Sequence, residues 1–243
     1  MVTSGIGLLA YPWEFALDPA AATTIAAAGV PAVAVAGAYH AVRALRARGA
    51  GPGIVDQPHA AAYWPVDPAR YPARLVPATP AASATASAVT AFGQARAAGL
   101  RAGVWLSVLH STRLASAAPD LALVSCFGDV HRHALCPAHD EVRGYAAALV
   151  GEAIDRLAPD WVELEAVGYH GYRHASLHDK AGVAVDDDTA FLLSLCFCPA
   201  CRRRFAERGG DPDRLALLVG AEVRRRLATG APGDWPGPAA EEL

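Results

Sequence analysis

Leu195 to Phe205 reads Leu-Cys-Phe-Cys-Pro-Ala-Cys-Arg-Arg-Arg-Phe, which puts Cys196, Cys198 and Cys201 within six residues. Zinc takes about four N or S ligands in a tetrahedron, at about 2.3 Å from sulfur. A Cys-Pro-x-Cys turn offers two thiolates with backbone N–H groups aimed at them, and a cysteine two residues earlier can fold over as a third. The fourth ligand must come from elsewhere. Cys136, followed by Pro137 ahead of a capped helix, is the choice here, with Cys126 and His178 in reserve. Four thiolates leave no open coordination position, so such a metal is structural. Two other readings stand beside this one: small buried cysteines, and a redox pair at Cys198 and Cys201.

A second set of chemically able residues falls where apolar runs end. The first run ends in Tyr11-Pro12-Trp13-Glu14 and the second in Tyr39-His40. The third ends in His110-Ser111, with Arg113 beyond. The fourth holds Glu163 and Glu165 and leads to Tyr169, His170, Tyr172 and His174. Aromatic faces stack on sugar C–H faces, and His and Arg donate to hydroxyls, so the set suits a carbohydrate. Glu163 and Glu165 lie two apart and share a face of a strand. Glu165, nearer the strand end, is the candidate general acid/base. Its plain alternative is a carboxylate paired with arginine inside the sheet. His40 and His110 are equally readable as ordinary loop or core histidines. His170, His174 and His178 are spaced four apart, with Asp179 beside the last, and would share a face if helical. Together with His40 and His110 they form the basis of an alternative, a His-dependent metallohydrolase. The Asp186-Asp187-Asp188 run is expected to cap a helix near Thr189. Arg202-Arg203-Arg204 and Arg224-Arg225-Arg226 are expected to be exposed helix faces.

Stepping out to the elements, Gly5–Tyr11, Ala32–Tyr39, Ala102–Leu109 and Trp161–Val167 are apolar runs that do not alternate, as strands buried on both faces do not. Helices are expected from Asp18-Pro19 to Gly29, over Ala41–Arg48, over Ala82–Ala98, from Asp140 to Leu157, and over Pro199–Arg208 and Pro212–Leu227. Long loops are expected over Gly49–Pro80 and Ser111–His139. The alternation predicts α/β architecture with a parallel sheet. The absence of Gly-x-Gly-x-x-Gly after any strand, and the long loops on one side, favour a (β/α)₈ TIM-barrel type over a doubly wound sheet. Four βα units are recognisable where a barrel needs eight, so the expectation is an incomplete barrel over residues 1–229, a cysteine-bearing insert at about 170–208, and a tail over 230–243. Its open edges would call for a second copy or another partner.

Composition narrows the partners. The chain is 53% hydrophobic and 19% charged, with a net charge of −3, so it has the material for a core and lacks a basic face. Nucleic acid is excluded on that ground. No apolar run reaches the ~18 residues of a membrane span, and no basic segment precedes the first one. The expectation is a cytoplasmic chain whose five cysteines are reduced.

Over about Cys136 to Phe205 the chain resembles the zinc-containing β-galactosidases of glycoside hydrolase family 42. The resemblance rests on Cys136-Pro137 followed by Glu141-Val142-Arg143-Gly144-Tyr145, on Leu164-Glu165 within Trp161 to Tyr169, and on Cys196-Phe197-Cys198-Pro199-Ala200-Cys201 running to Phe205. It implies a TIM-barrel glycosidase with a structural zinc on Cys136, Cys196, Cys198 and Cys201. Glu165 would be the acid/base, with Trp13, Tyr39, His40, His110, Arg113, Glu163, Tyr169 and His170 around the sugar. Two departures accompany it. Leu164 replaces the family's Asn, and no counterpart of the nucleophile at the end of the seventh strand is found. A galactoside preference is therefore not implied, and a non-catalytic carbohydrate-binding relic is the alternative.

Overall fold

The computed structural model describes residues 7–46, 51–172 and 182–229. It divides into two compact units, Met1–Leu114 with Gly144–Val167, and Ala115–Arg143 with Gly168–Leu243.

The first unit is a mixed α/β layer structure. Strand β1 (Gly7–Ala10) leads into the short helices α1 (Pro12–Leu17) and α2 (Ala21–Ala27). Pro12 sits at the first helical position of α1, and the Glu14 carboxylate accepts the Tyr11 N–H at 3.0 Å. Asp18 accepts the Ala20 N–H, and Gly29 ends the turn at φ +79°. Helix α1 was not expected; the helix expected from Asp18-Pro19 to Gly29 is the separate α2, whose first helical residue is Ala21 and not Pro19. Strand β2 (Ala32–Tyr39) follows, buried from Val33 to Ala38.

The stretch expected as a helix at Ala41–Arg48 is instead strand β3 (Val42–Arg46), paired antiparallel with β4 (Gly53–Gln57). Arg, Ala and Leu favour helix locally, and tertiary strand pairing overrides them. Part of the expected loop over Gly49–Pro80 is therefore strand, and β5 (Ala61–Ala62) adds antiparallel to the end of β2. The next two residues, Tyr63 and Trp64, are fully buried. Helix α3 (Ser87–Ala97) buries Ala88, Ala91, Phe92 and Ala95, a single helical stripe. Strand β6 (Arg101–Ser107) and helix α4 (Thr112–Ala117) come next.

In the second expected loop, strands β7 (Ala122–Val124) and β8 (Val130–Leu135) form a hairpin in the second unit. Helix α5 (Asp140–Leu157) leads to strand β9 (Val162–Glu165). The parallel sheet of the first unit runs β1-β2-β6-β9, so the strands lie side by side in chain order. Among the described residues it has these four parallel strands and does not close. Val33, Val35, Val104 and Leu106 are fully buried in the sheet. Buried Glu152 of α5 holds the preceding loop by accepting from the Tyr71 hydroxyl at 2.7 Å and the Asp67 N–H at 2.8 Å.

The second unit adds α6 (Asp187–Ser194), α7 (Pro199–Ala206) and α8 (Pro212–Thr229). Asp186 caps α6 by accepting the Thr189 N–H, as expected from the aspartate run. Arg226 corrects the expectation of an exposed face. It is buried on α8 against Glu222 at 2.7 Å, Asp188 at 3.3 Å and Asp186 at 3.6 Å. No helix among the described residues is long and apolar enough to cross a membrane.

Candidate metal centre and strand-end site

The sulfurs of Cys136, Cys196, Cys198 and Cys201 converge in the second unit. All four lie within 4.8 Å of one another, and Cys136 is 3.5 Å from Cys201, 3.6 Å from Cys198 and 3.7 Å from Cys196. A disulfide would need about 2.05 Å. A tetrahedron with bonds of about 2.3 Å has sulfur–sulfur edges of roughly 3.8 Å. The cluster therefore has the dimensions of a thiolate cage around one ion and is too wide for any bonded pair.

Local structure explains the convergence. Cys198 caps α7 and Pro199 takes its first position, which turns Cys201 back toward Cys198. The Cys196 sulfur accepts the Val124 N–H, and the Phe197 N–H bonds the Val124 carbonyl, so β7 aligns the cysteine run. The Cys136 N–H bonds the Leu121 carbonyl at 2.8 Å, which brings the distant fourth sulfur onto the same hairpin. Contact with the Cys136 thiol, and then with those of Cys196 and Cys201, holds the Cys198 sulfur well below the ordinary thiol range. Contact with Cys196 pushes the Cys136 thiol upward. A divalent ion bound among these sulfurs would displace their protons, because thiolates and not thiols are the ligands. His139 Nε2 stands 3.3 Å from the Cys198 sulfur, a neighbour that the sequence pattern did not single out. Cys126 is half-buried outside the cluster, and its thiol is pushed up by burial. His174, His178 and Asp179 lie outside the described residues.

In the first unit, the carboxyl ends of β1, β2, β6 and β9 gather a second set. Tyr11 stacks on Trp13 with ring centres 4.5 Å apart, meets Tyr39 edge-on at 5.2 Å, and lies 6.2 Å from Trp105. Trp105 was not singled out from the sequence; it lies two residues before the end of β6. The indole N–H of Trp105 donates to Glu165 at 2.7 Å, and that of Trp161 donates to Glu163 at 2.8 Å. Register places Trp105 beside Glu163 and Ser107 beside Glu165, so both carboxylates share one face of the sheet with Trp105. Gly37 makes a bulge in β2 that shifts register before Tyr39. A Cβ there would come within 2.6 Å of Val104 and 3.1 Å of Trp64. The bulge brings Tyr39 and His40 to the mouth, where the His40 and His110 rings are 4.8 Å apart. Burial, and then the Tyr11 hydroxyl, push the Tyr39 phenol upward, so it stays a proton donor. Just past Glu165 the chain turns through Ala166 at φ +59°, a left-handed conformation costly for a residue with a Cβ. The Leu109 N–H fixes that turn by donating to the Ala166 carbonyl at 3.0 Å.

Not every expected residue joins this group. Trp13 is 5% exposed and lies between Tyr11 and Tyr63, a wall for the site and not an open platform. Arg113 donates to the Val76 carbonyl at 3.0 Å, fastening a loop. Tyr169 and His170 belong to the second unit, where the Tyr169 hydroxyl is 4.0 Å from the Cys201 sulfur. Leu164, where the resemblance would have Asn, is half-exposed on the opposite face from Glu165.

Comparison with family models, with curated proteins and with solved structures finds no match to this chain.

Proposed function

We propose that the chain is a glycosidase-like protein that binds a carbohydrate at the carboxyl ends of its parallel strands. In this reading the four strands are the first four βα units of a (β/α)₈ barrel. The four cysteines hold a structural zinc. Glu165 is the general acid that protonates a glycosidic oxygen. What carries the reading is the Glu165 carboxylate at a strand end within an aromatic group, Tyr11, Tyr39 and Trp105, beside His40 and His110. Sugars are recognised by this combination of ring faces and hydrogen-bonding heads, and strand carboxyl ends are where barrels do chemistry. Glu163 lies two residues earlier on the same face, roughly 7 Å away along the strand.

A specific observation favours a second reading, binding without turnover. The Trp105 N–H occupies one Glu165 oxygen at 2.7 Å and ties the carboxylate to the neighbouring strand instead of leaving it free to reach a glycosidic oxygen. The metallohydrolase alternative has less behind it. Among the described residues the four cysteines are the group of metal-ligating side chains within mutual reach.

The test pairs binding with turnover. Saccharide binding is measured by calorimetry and hydrolysis on a panel of aryl glycosides, with Glu165→Gln alongside. Hydrolysis lost in Glu165→Gln with binding retained supports the first reading. Binding without hydrolysis in the parent chain selects the second. No saccharide binding at all removes both.

A further inference from the structure

Beside the cysteine cluster, within the second unit, lies a cavity of about 560 Å³. Its volume is in the range of small-molecule sites. Cys136 and Cys198 are buried away, while the half-buried Cys196 and Cys201 form part of the cavity wall. Two aromatic rings stand open on it, Tyr169 at 55% and Phe191 at 54% exposure. Phe205, whose ring packs over Gly210, and Leu215 complete the apolar lining.

Three arginines line the same space, and their states differ. Arg202 pairs with Asp213, and Arg204 donates to the Ala138 carbonyl at 3.1 Å and reaches Asp140 at 3.5 Å. Arg208 is exposed and has no ion pair among the described residues. It follows the end of α7, seven residues beyond Cys201, or roughly 10 Å along a helical rise. The cavity is thus polarised. One end is sulfur and would repel an anion, since four thiolates and one divalent ion leave two negative charges. The other end is an available guanidinium, about a Debye length away at physiological salt. The open faces of Tyr169 and Phe191 line the same cavity.

We infer that this cavity is a binding site for a small aromatic carboxylate, distinct from the strand-end site. The ring lies against Phe191 and Tyr169, and the carboxylate meets the fork of Arg208. Guanidinium–carboxylate pairing can be bidentate and specific in geometry, and the ring covers apolar surface that is otherwise left in water. A neutral isostere keeps the second contribution and loses the first.

The probes are phenylacetate and its neutral isostere phenylacetamide, followed by ligand-observed NMR and by calorimetry on the full chain. Phenylacetate is expected to saturate in the millimolar range and to bind about tenfold tighter than the amide, the scale of one charge-assisted contact. Arg208→Ala, at an exposed position past a helix end, is expected to remove that preference with the circular dichroism unchanged. Phe191→Ala is expected to weaken both probes together. Equal affinity for acid and amide, a preference that survives Arg208→Ala, or no saturable binding of either probe would each overturn the inference.

Discussion

Removing the metal should unfasten the second unit and leave the first intact. The buried group around the sulfurs consists of Leu123, Ala134, Ala138 and Ala200 together with Cys136 and Cys198. Three alanines and one leucine bring seven side-chain carbons. At about 0.8 kcal/mol for each buried CH₂ they contribute roughly 5–6 kcal/mol, as an upper figure. Structural zinc sites in small peptides contribute about 10–16 kcal/mol at neutral pH. A zinc ion held by the four cysteines would therefore outweigh the alanines in this corner. The assay is amide hydrogen exchange on metal-loaded and chelator-treated protein, with metal content measured by atomic absorption. The reporters are the Cys136 N–H, bonded to Leu121, and the Phe197 N–H, bonded to Val124. The Val104 N–H, bonded to Trp161 in the first unit, is the control. Chelation should lower protection of the reporters by at least about a thousandfold, equivalent to roughly 4 kcal/mol, and leave the control unchanged. Cys198→Ser should act like the chelator and Cys126→Ser should not. Full protection of both reporters in metal-free protein would refute the reasoning, as would binding that survives Cys198→Ser.

Three further outcomes are expected. Gly103→Ala should lower thermal stability by about 1–3 kcal/mol, because the added Cβ overlaps the Trp161 indole and displaces it from Glu163; an unchanged melting temperature would count against this packing. Glu152→Ala should cost about 2–5 kcal/mol in chemical denaturation, since the buried Tyr71 hydroxyl and the part-buried Asp67 N–H lose their acceptor; Tyr71→Phe should cost less. The Arg225 guanidinium, with Arg226 behind it, holds the Glu222 carboxyl down to about 2. A depressed carboxylate stabilises the fold above its unfolded value of about 4.3. That stability is lost as pH falls from there through about 2, so Glu222→Gln should flatten the acid limb of a stability–pH curve and leave it unchanged if the pair contributes nothing.

Much of the parallel sheet could be read from the chain. Ala32–Tyr39 is strand to the residue, because a run of Val and Ala without alternation admits few other structures. The cysteine convergence was legible for a similar reason: three thiols in six residues near a Cys-Pro turn have few uses. The hairpin β3–β4 was not legible. Val42 to Arg46 is built of residues that favour helix, and only pairing with Ile54 and Val55 makes it extended. Trp105 was hidden inside an apolar run, where nothing local distinguishes an indole that bonds a carboxylate on the next strand. The contacts of Tyr169 with Cys201 and of Arg113 with Val76 were not legible either, because position after a strand does not fix where a side chain ends up.

The four sulfurs come from places 60 residues apart along the chain, Cys136 and Cys196. At ribosomal rates of about 5–20 residues per second, roughly 3–12 s separate the emergence of the two. All four parallel strands precede Cys196, so the sheet can assemble while Cys136 waits with its cage unfinished. If the cage holds an ion, cells short of it during that interval would accumulate chains with a finished sheet and an unfastened cysteine hairpin.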